Sequence, residues 1–169
     1  MYAGAYGGEM SDVVVETEYL DTISGAIRKI SGDEHVFSYR HSIFCDHSEY
    51  IILSTTIELR KGNAEEIYTL MNKNMTSRKD KQPLEYPNAG STFKRPEGHF
   101  AGKLIEDSGL KGYTVGGAQV SEKHAGFVIN KGGATAADVL ALIEHTKETV
   151  LNNYSVELER EIIFIPYDK

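Results

Sequence analysis

The apolar positions of this chain keep two rhythms by turns, an every-other-residue alternation that suits strands and a spacing of about 3.6 that suits helices. "SDVVVETEYLD" is rich in β-branched and aromatic residues and predicts a strand from about Val13 to Tyr19. "EYIILSTTIELRKG" predicts the strongest strand of the chain, Ile51 to Leu59, ended by Gly62. A helix should follow. Asn63 with Glu66 three residues on resembles a capping box, and Ile67, Leu70, Met71 and Met75 form one stripe at helical spacing. The stripe reads as core. From Ser77 to Gly98 the chain is basic and broken by Pro83, Pro87, Gly90, Pro96 and Gly98, a loop-rich connection with a domain boundary near its start.

The second half uses shorter segments. Phe100, Ala101, Leu104 and Ile105 make a helical face, and Gly109 followed by Leu110 looks like a glycine stop with its apolar contact. Short strands broken by Gly116, Gly117, Gly132 and Gly133 come next. Thr135 with Asp138 caps the clearest helix, whose face carries Leu140, Ile143, Val150 and Leu151 and which Asn152-Asn153 should end. "VELEREIIFIP" predicts a closing strand. The class is α+β, or mixed α/β, in two unequal pieces and without an internal repeat.

Composition narrows this picture without changing it. The chain has 169 residues, with 40% apolar and 25% charged, as ordinary folded domains have. No apolar run approaches the ~20 residues of a membrane span. "MYAGAYGGEM" has neither the basic nor the apolar region of a signal peptide, and a lone Cys45 fits a reducing cytosol, so a cytoplasmic protein is expected. A net charge of −7 argues against nucleic acid and anionic membranes as partners. Locally the sign reverses. Between Lys73 and Arg95, Lys73, Arg78, Lys79, Lys81, Lys94 and Arg95 outnumber Asp80 and Glu85, which suits a compact anion and equally a solvated loop.

Several residues in these segments could carry chemistry. Ser91 stands in "PNAGSTFKRPEG", after Ala89 and Gly90 and just before Lys94 and Arg95. It lacks the G-x-S-x-G setting of a hydrolase nucleophile. It can be a proton or hydrogen-bond donor with room for a substrate, or a turn serine bonding its own backbone. On the closing strand Glu157, Glu159 and Glu161 share a face with Ile163 and Ile165, and Glu161, next to the apolar end, is the one best placed for desolvation and acid-base work. The same three also read as the charged face of an edge strand. Arg40, in "YRHSIFCDH", could hold a carboxylate with two parallel bonds, whereas His41, Cys45 and His47 lack metal-site spacing and no metal is expected. "AGAYGGE" by itself says only a tight turn.

Taken together, "AGAYGGE", "YRHSIF", "QPLEYPNAGSTFKRPEGHFAGKLIEDSGLKG", "GGAQVSEKHAGFVIN" and "LEREIIFI" resemble the UDP-N-acetylenolpyruvoylglucosamine reductases, over nearly the whole chain. The wording "STFKRP", with no inserted tyrosine-bearing loop, resembles the shorter type II form. The resemblance implies a bacterial flavoenzyme of peptidoglycan precursor synthesis, and so of cell-wall growth, shape and division. In it NADPH reduces FAD, and the flavin passes a hydride to the enolpyruvyl group of a UDP-sugar. The family's proton-donating serine falls on Ser91, its arginine on Arg40, and its late glutamate on Glu161 and not Glu159. Substrate contacts fall on Lys81, Lys94, Arg95 and His124, and flavin contacts on Gly4, Ala5, Tyr6, Gly7, Arg78 and Gly90.

Against the family pattern, Met1 matches a methionine inside an "MNAGAYGGE"-type segment, with Tyr2 where asparagine is usual. The resemblance thus implies the tail of a flavin-binding α+β domain at 1–76 and a small α/β substrate-binding domain at 77–169. It further implies weak FAD affinity, open apolar edges and possible self-association. An alternative is a nucleotide-sugar-binding fragment with no catalysis of its own.

Overall fold

The computed structural model describes residues 4–166, so the reading made at Met1 and Tyr2 lies outside it. The chain divides into two compact units, Met1–Met71 and Asn72–Lys169, with the division inside a helix.

The first unit opens with a minimal hairpin, β1 (Gly4–Ala5) and β2 (Gly8–Glu9), whose turn residues Tyr6 and Gly7 both have positive φ, 54° and 85°. A three-stranded antiparallel sheet follows, β3 (Val14–Asp21), β4 (Ala26–Ser31) and, after the short helix α1 (Ile43–Asp46), β5 (Tyr50–Ile57), in the order β4-β3-β5. Asp21 closes the β3–β4 turn, accepting the backbone N–H groups of Ile23 and Ser24 at 3.0 and 3.2 Å and the Ser24 hydroxyl at 2.7 Å. The buried set among the described residues is small and mostly polar, with Asp21 and Ser42 in it. Tyr19 and Ile30 are joined by Thr17, and by His35, whose ring nitrogens meet the Gly32 carbonyl and the Thr17 hydroxyl at 2.9 Å each.

The second unit holds the apolar core. Helix α2 (Ala64–Lys81) leads into it, followed by β6 (Asn88–Ser91), α3 (Ala101–Asp107), β7 (Thr114–Val115), β8 (Ala118–Val120), β9 (Phe127–Asn130) and α4 (Ala136–Tyr154). The strands form one antiparallel sheet in the order β6-β9-β8-β7. Ala118, Val120 and Val128 pack against Leu104 and Ile105 of α3 and Leu142, Ile143 and Val150 of α4. The neighbouring register pair Gln119↔Ile129 therefore belongs to the opposite face. Gly109, at φ 73°, stops α3 and lets the buried Leu110 bond back to the Ile105 carbonyl, and the Thr135–Asp138 capping box opens α4, both as the sequence predicts.

Four expectations need correction. Helix α2 runs to Lys81, because no glycine or proline interrupts it before Pro83, so Arg78, Lys79 and Lys81 ride its last turn instead of a loop. Its stripe is not core, since Ile67, Leu70, Met71 and Met75 are 47–57% exposed. On α4 Ile143 and Val150 are buried as expected, but Leu142 is buried with them while Leu140 is only half-buried and Leu151 exposed, and the helix ends just past Asn152-Asn153 at Tyr154. The closing strand does not form. Among the described residues, 156–166 make strand-like pairing only at the isolated bridge Phe93↔Arg160; Leu158 packs into the core, while Ile163 and Ile165 are 77% and 82% exposed. Among the described residues no helix is long and apolar enough to cross a membrane.

Candidate functional site

Asn88 builds the turn that presents Ser91. Its side-chain amide donates to the carbonyls of Pro83 at 3.2 Å and Tyr86 at 2.8 Å, and its side-chain carbonyl accepts the Gly90 N–H at 3.0 Å. β6 pairs with β9 at Asn88↔Ile129 and Ser91↔Phe127, with a register irregularity between them. Gly90 occupies that irregularity at φ 85°, and nothing lies within 4 Å of where its Cβ would stand. An exposed Ser91 thus sits beside open space on a fixed backbone. The next residue anchors it: buried Thr92 donates its N–H to the Gly126 carbonyl at 2.8 Å and accepts the Val128 N–H on Oγ1 at 3.1 Å.

Residues 159–161 run alongside. The Lys94 N–H donates to the Glu159 carbonyl and the Glu161 N–H to the Thr92 carbonyl, each at 2.9 Å, on either side of the Phe93↔Arg160 bridge. Glu161 is the least exposed of the three glutamates, and its Oε2 is shielded from solvent. Ser91 and Glu161, far apart in sequence, are brought within one residue of each other on paired backbones.

The cations expected at the site have partners of their own. Lys94 is ion-paired with Glu159. The Arg95 guanidinium lies 4.1 Å from the centre of the Phe100 ring, within cation–π range. Arg78 donates from Nε to Gln82 Oε1 at 3.1 Å, and the exposed Lys81 ends α2, where positive charge complements the helix dipole. His124 is exposed, with Phe127 edge-on at 4.9 Å. Its Nδ1 accepts the Gly126 N–H at 3.1 Å, so the neutral ring carries its proton on Nε2. Cβ atoms on Gly102 or Gly126 would come within 3.2 or 3.0 Å of that ring, which makes room for it only as glycines.

Arg40, Gly4, Ala5, Tyr6 and Gly7 belong to the first unit. Arg40 is exposed in a two-residue turn closed by reciprocal bonds between Ser38 and His41, 3.2 and 3.1 Å, and its φ of 60° is left-handed. For a residue with a Cβ that conformation costs roughly 1–2 kcal/mol. Beside it, the Asp46 carboxylate bonded to His41 Nε2 at 2.9 Å holds the imidazole above its ordinary pKa. No group of three or more His, Cys, Asp or Glu among the described residues is placed to hold a metal ion.

The C-terminal domain of UDP-N-acetylenolpyruvoylglucosamine reductase matches residues 82–165, the stretch that carries Ser91, Lys94, Arg95, His124 and Glu161. The reductase of Agathobacter rectalis is 54% identical over 165 residues, 98% of this chain and 52% of that protein. That of Caldanaerobacter subterraneus is 56% identical over 162 residues, 96% of this chain and 53% of its own length. The crystal structure of the reductase (MurB) from Thermus caldophilus superposes with a TM-score of 0.77 and 35% identity, over 94% of this chain and 56% of that one. This chain belongs to the UDP-N-acetylenolpyruvoylglucosamine reductase family. It spans about half the length of the curated relatives it matches.

Some features of this reductase-family domain escaped the sequence reading. Asn88 two residues before Gly90 is a legible turn signal, but Thr92 acts through a residue 36 positions away. A cleft of about 420 Å³ opens over the Gln119–Ile129 face, roofed by Pro83 and Tyr86 and edged by Lys123 and Lys131. Lys123 donates to the Lys79 carbonyl at 2.7 Å and pairs with Glu85 at 3.4 Å. The backbone N–H of Glu85 itself, and then Lys123, hold that carboxyl below its ordinary range.

Proposed function

We propose that this chain supplies the substrate side of a cytoplasmic reductase that converts UDP-N-acetylenolpyruvoylglucosamine to UDP-N-acetylmuramate with NADPH and FAD, in peptidoglycan precursor synthesis. The carrying observation is the backbone bond from Glu161 to Thr92, which sets a shielded carboxylate beside a serine with open space next to it. Residues 77–169 then form the substrate domain, and residues 1–76 belong to the flavin domain.

The glycines fit a flat, charged group. Added Cβ atoms on Gly7, Gly8 and Gly90 would meet nothing within 4 Å, so a ring or a phosphate can approach the backbone there, although the Gly90 N–H itself is held by Asn88. Gly4, Ala5, Tyr6, Gly7, Arg78 and Gly90 would hold FAD. Once bound and reduced by NADPH, it supplies the hydride.

The chain's own residues handle charge and protons. Ser91 donates a proton to the substrate carbon next to its carboxylate. Arg40 faces the negative charge that grows on that carboxylate, and Glu161 hydrogen-bonds the enol-like form. Lys81, Lys94 and Arg95 hold the diphosphate, Lys94 exchanging Glu159 for it, and His124 donates from Nε2.

The test is to incubate the purified chain with FAD, desalt it, record the visible spectrum, and then titrate the UDP-sugar by calorimetry. Saturable UDP-sugar binding that Arg95→Ala weakens supports the substrate assignment, and a retained flavin band supports the cofactor assignment. A colourless protein that still binds the sugar nucleotide reduces the chain to a binding module. Absence of both signals overturns the reading for this chain.

A further inference from the structure

Arg95 and Phe100 meet across a turn whose two ends are both tied to the core. Phe93 is 5% exposed, and the Lys94 N–H donates to the Glu159 carbonyl at 2.9 Å, so the backbone is fixed just before Arg95. The Pro96 carbonyl then accepts the His99 N–H at 3.1 Å, with Gly98 at φ 71° in the left-handed corner that glycine adopts freely. Phe100 follows as the N-cap of α3, its carbonyl accepting the N–H groups of Lys103 and Leu104 at 3.0 and 3.1 Å. Ala101, Leu104 and Ile105 of that helix are buried, which anchors the second end of the turn. Between these anchors the Arg95 guanidinium lies 4.1 Å from the centre of the Phe100 ring.

The ring itself is 62% exposed, so burial explains little of its presence. What it provides is a face for Arg95. Stacking occupies the face of a guanidinium and leaves the N–H groups on its edge to donate, two of them in parallel, to an oxyanion. Other cations are held through their donors instead. Lys94 is ion-paired with Glu159, Arg78 donates from Nε to Gln82, and Lys123 donates to the Lys79 carbonyl. No hydrogen bond or ion pair among the described residues takes up the donors of the exposed Arg95. We propose that Phe100 is a positioning residue, which holds the Arg95 guanidinium in one orientation with its donor edge free for the diphosphate of the sugar nucleotide. The inference rests on the reading of Arg95 as a diphosphate ligand, and adds the residue that orders it. Without the ring, the arginine would have to be immobilised when the anion arrives, and that lost freedom would lower the affinity. A direct contact between Phe100 and the substrate would behave differently. Its loss would add to the loss of Arg95, whereas a positioning effect vanishes once the arginine is gone.

The experiment is a double-mutant cycle on this chain, with UDP-N-acetylenolpyruvoylglucosamine titrated by calorimetry and the Arg95 Nε–H group followed by NMR. Arg95→Ala should weaken binding by about tenfold or more, and Phe100→Leu by about threefold or more. Phe100→Tyr keeps an aromatic face and should cost less than about twofold. On the Arg95→Ala background, Phe100→Leu should add less than about twofold. Without ligand, Phe100→Leu should make the Arg95 Nε–H more mobile and remove its ring-current shift. Circular dichroism should stay unchanged, since the side chain is already exposed. If Arg95→Ala weakens binding and Phe100→Leu does not, the inference is overturned while the reading of Arg95 stands. Losses that add in the double variant would make Phe100 a substrate contact and overturn the positioning role, as would an Arg95 Nε–H equally ordered in Phe100→Leu. If the unmodified chain and Arg95→Ala bind alike, or neither binds, the reading of Arg95 fails and the inference falls with it.

Discussion

The backbone N–H of Glu161 donates to the carbonyl of Thr92 at 2.9 Å, which fixes this glutamate beside Ser91. The bond is one of two that flank the Phe93↔Arg160 bridge, and just before them Leu158 is 1% exposed in the core. The position of Glu161 therefore depends on a buried leucine. Leu158→Ala should cost the second unit about 2–5 kcal/mol, seen as a lower denaturation midpoint. It should also speed hydrogen exchange at the Glu161 amide.

Two adjacent hydroxyls should behave oppositely. Ser91 is exposed, so Ser91→Ala should change stability by less than about 0.5 kcal/mol. Thr92→Val removes the acceptor of a buried Val128 N–H and should cost about 1–3 kcal/mol. In the assembled reductase, Ser91→Ala should still let NADPH reduce the flavin while stopping product formation. Stopped-flow absorbance separates the two steps.

Arg40 holds a left-handed backbone that glycine adopts freely. Arg40→Gly relieves that strain but frees the unfolded chain and removes the guanidinium from over the Tyr39 ring at 5.8 Å, so stability should change by less than about 1 kcal/mol in either direction. On the role proposed for Arg40, opposite the developing carboxylate, turnover of the assembled enzyme should fall by about a hundredfold or more. Loss of stability together with activity would make this arginine a structural turn residue only.

The His41–Asp46 pair gives a pH dependence with a definite sign. Its hydrogen bond raises the folded pKa of His41 above the ordinary 6.5. Its stabilising contribution is therefore complete below that value and is lost as the pH rises through the folded pKa. Chemical denaturation of the first unit should show greater stability at about pH 6 than at about pH 8 from this pair, and Asp46→Asn should remove that share of the difference.

Local rules carried the parts of the fold that depend on neighbours in sequence. The Thr135–Asp138 cap and the Gly109–Leu110 stop involve residues within a turn of each other, and both formed. Periodicity says that a face is meant to be buried, and not by what, which is why the α2 stripe reads as core and stands exposed. Alternation likewise describes the tail at Glu157–Ile165, but a strand also needs a partner, and among the described residues only Phe93 is bridged to it. β4, short and bearing Arg28 and Lys29, gives too weak an apolar signal to be read alone. At the site, Ser91 and Glu161 were legible as residue types with several uses each. Their adjacency is a long-range fact, set by backbone pairing that no spacing in the sequence encodes.

The most direct measurement is NADPH-dependent turnover of UDP-N-acetylenolpyruvoylglucosamine by this chain co-purified with the remaining half of a reductase fold, followed by NADPH absorbance and by the mass of the sugar nucleotide. The prediction is formation of UDP-N-acetylmuramate by the unmodified complex, and none by a Ser91→Ala complex that retains its flavin. A flavin-loaded complex that leaves the substrate unchanged, or a Ser91→Ala complex that turns over normally, would contradict it.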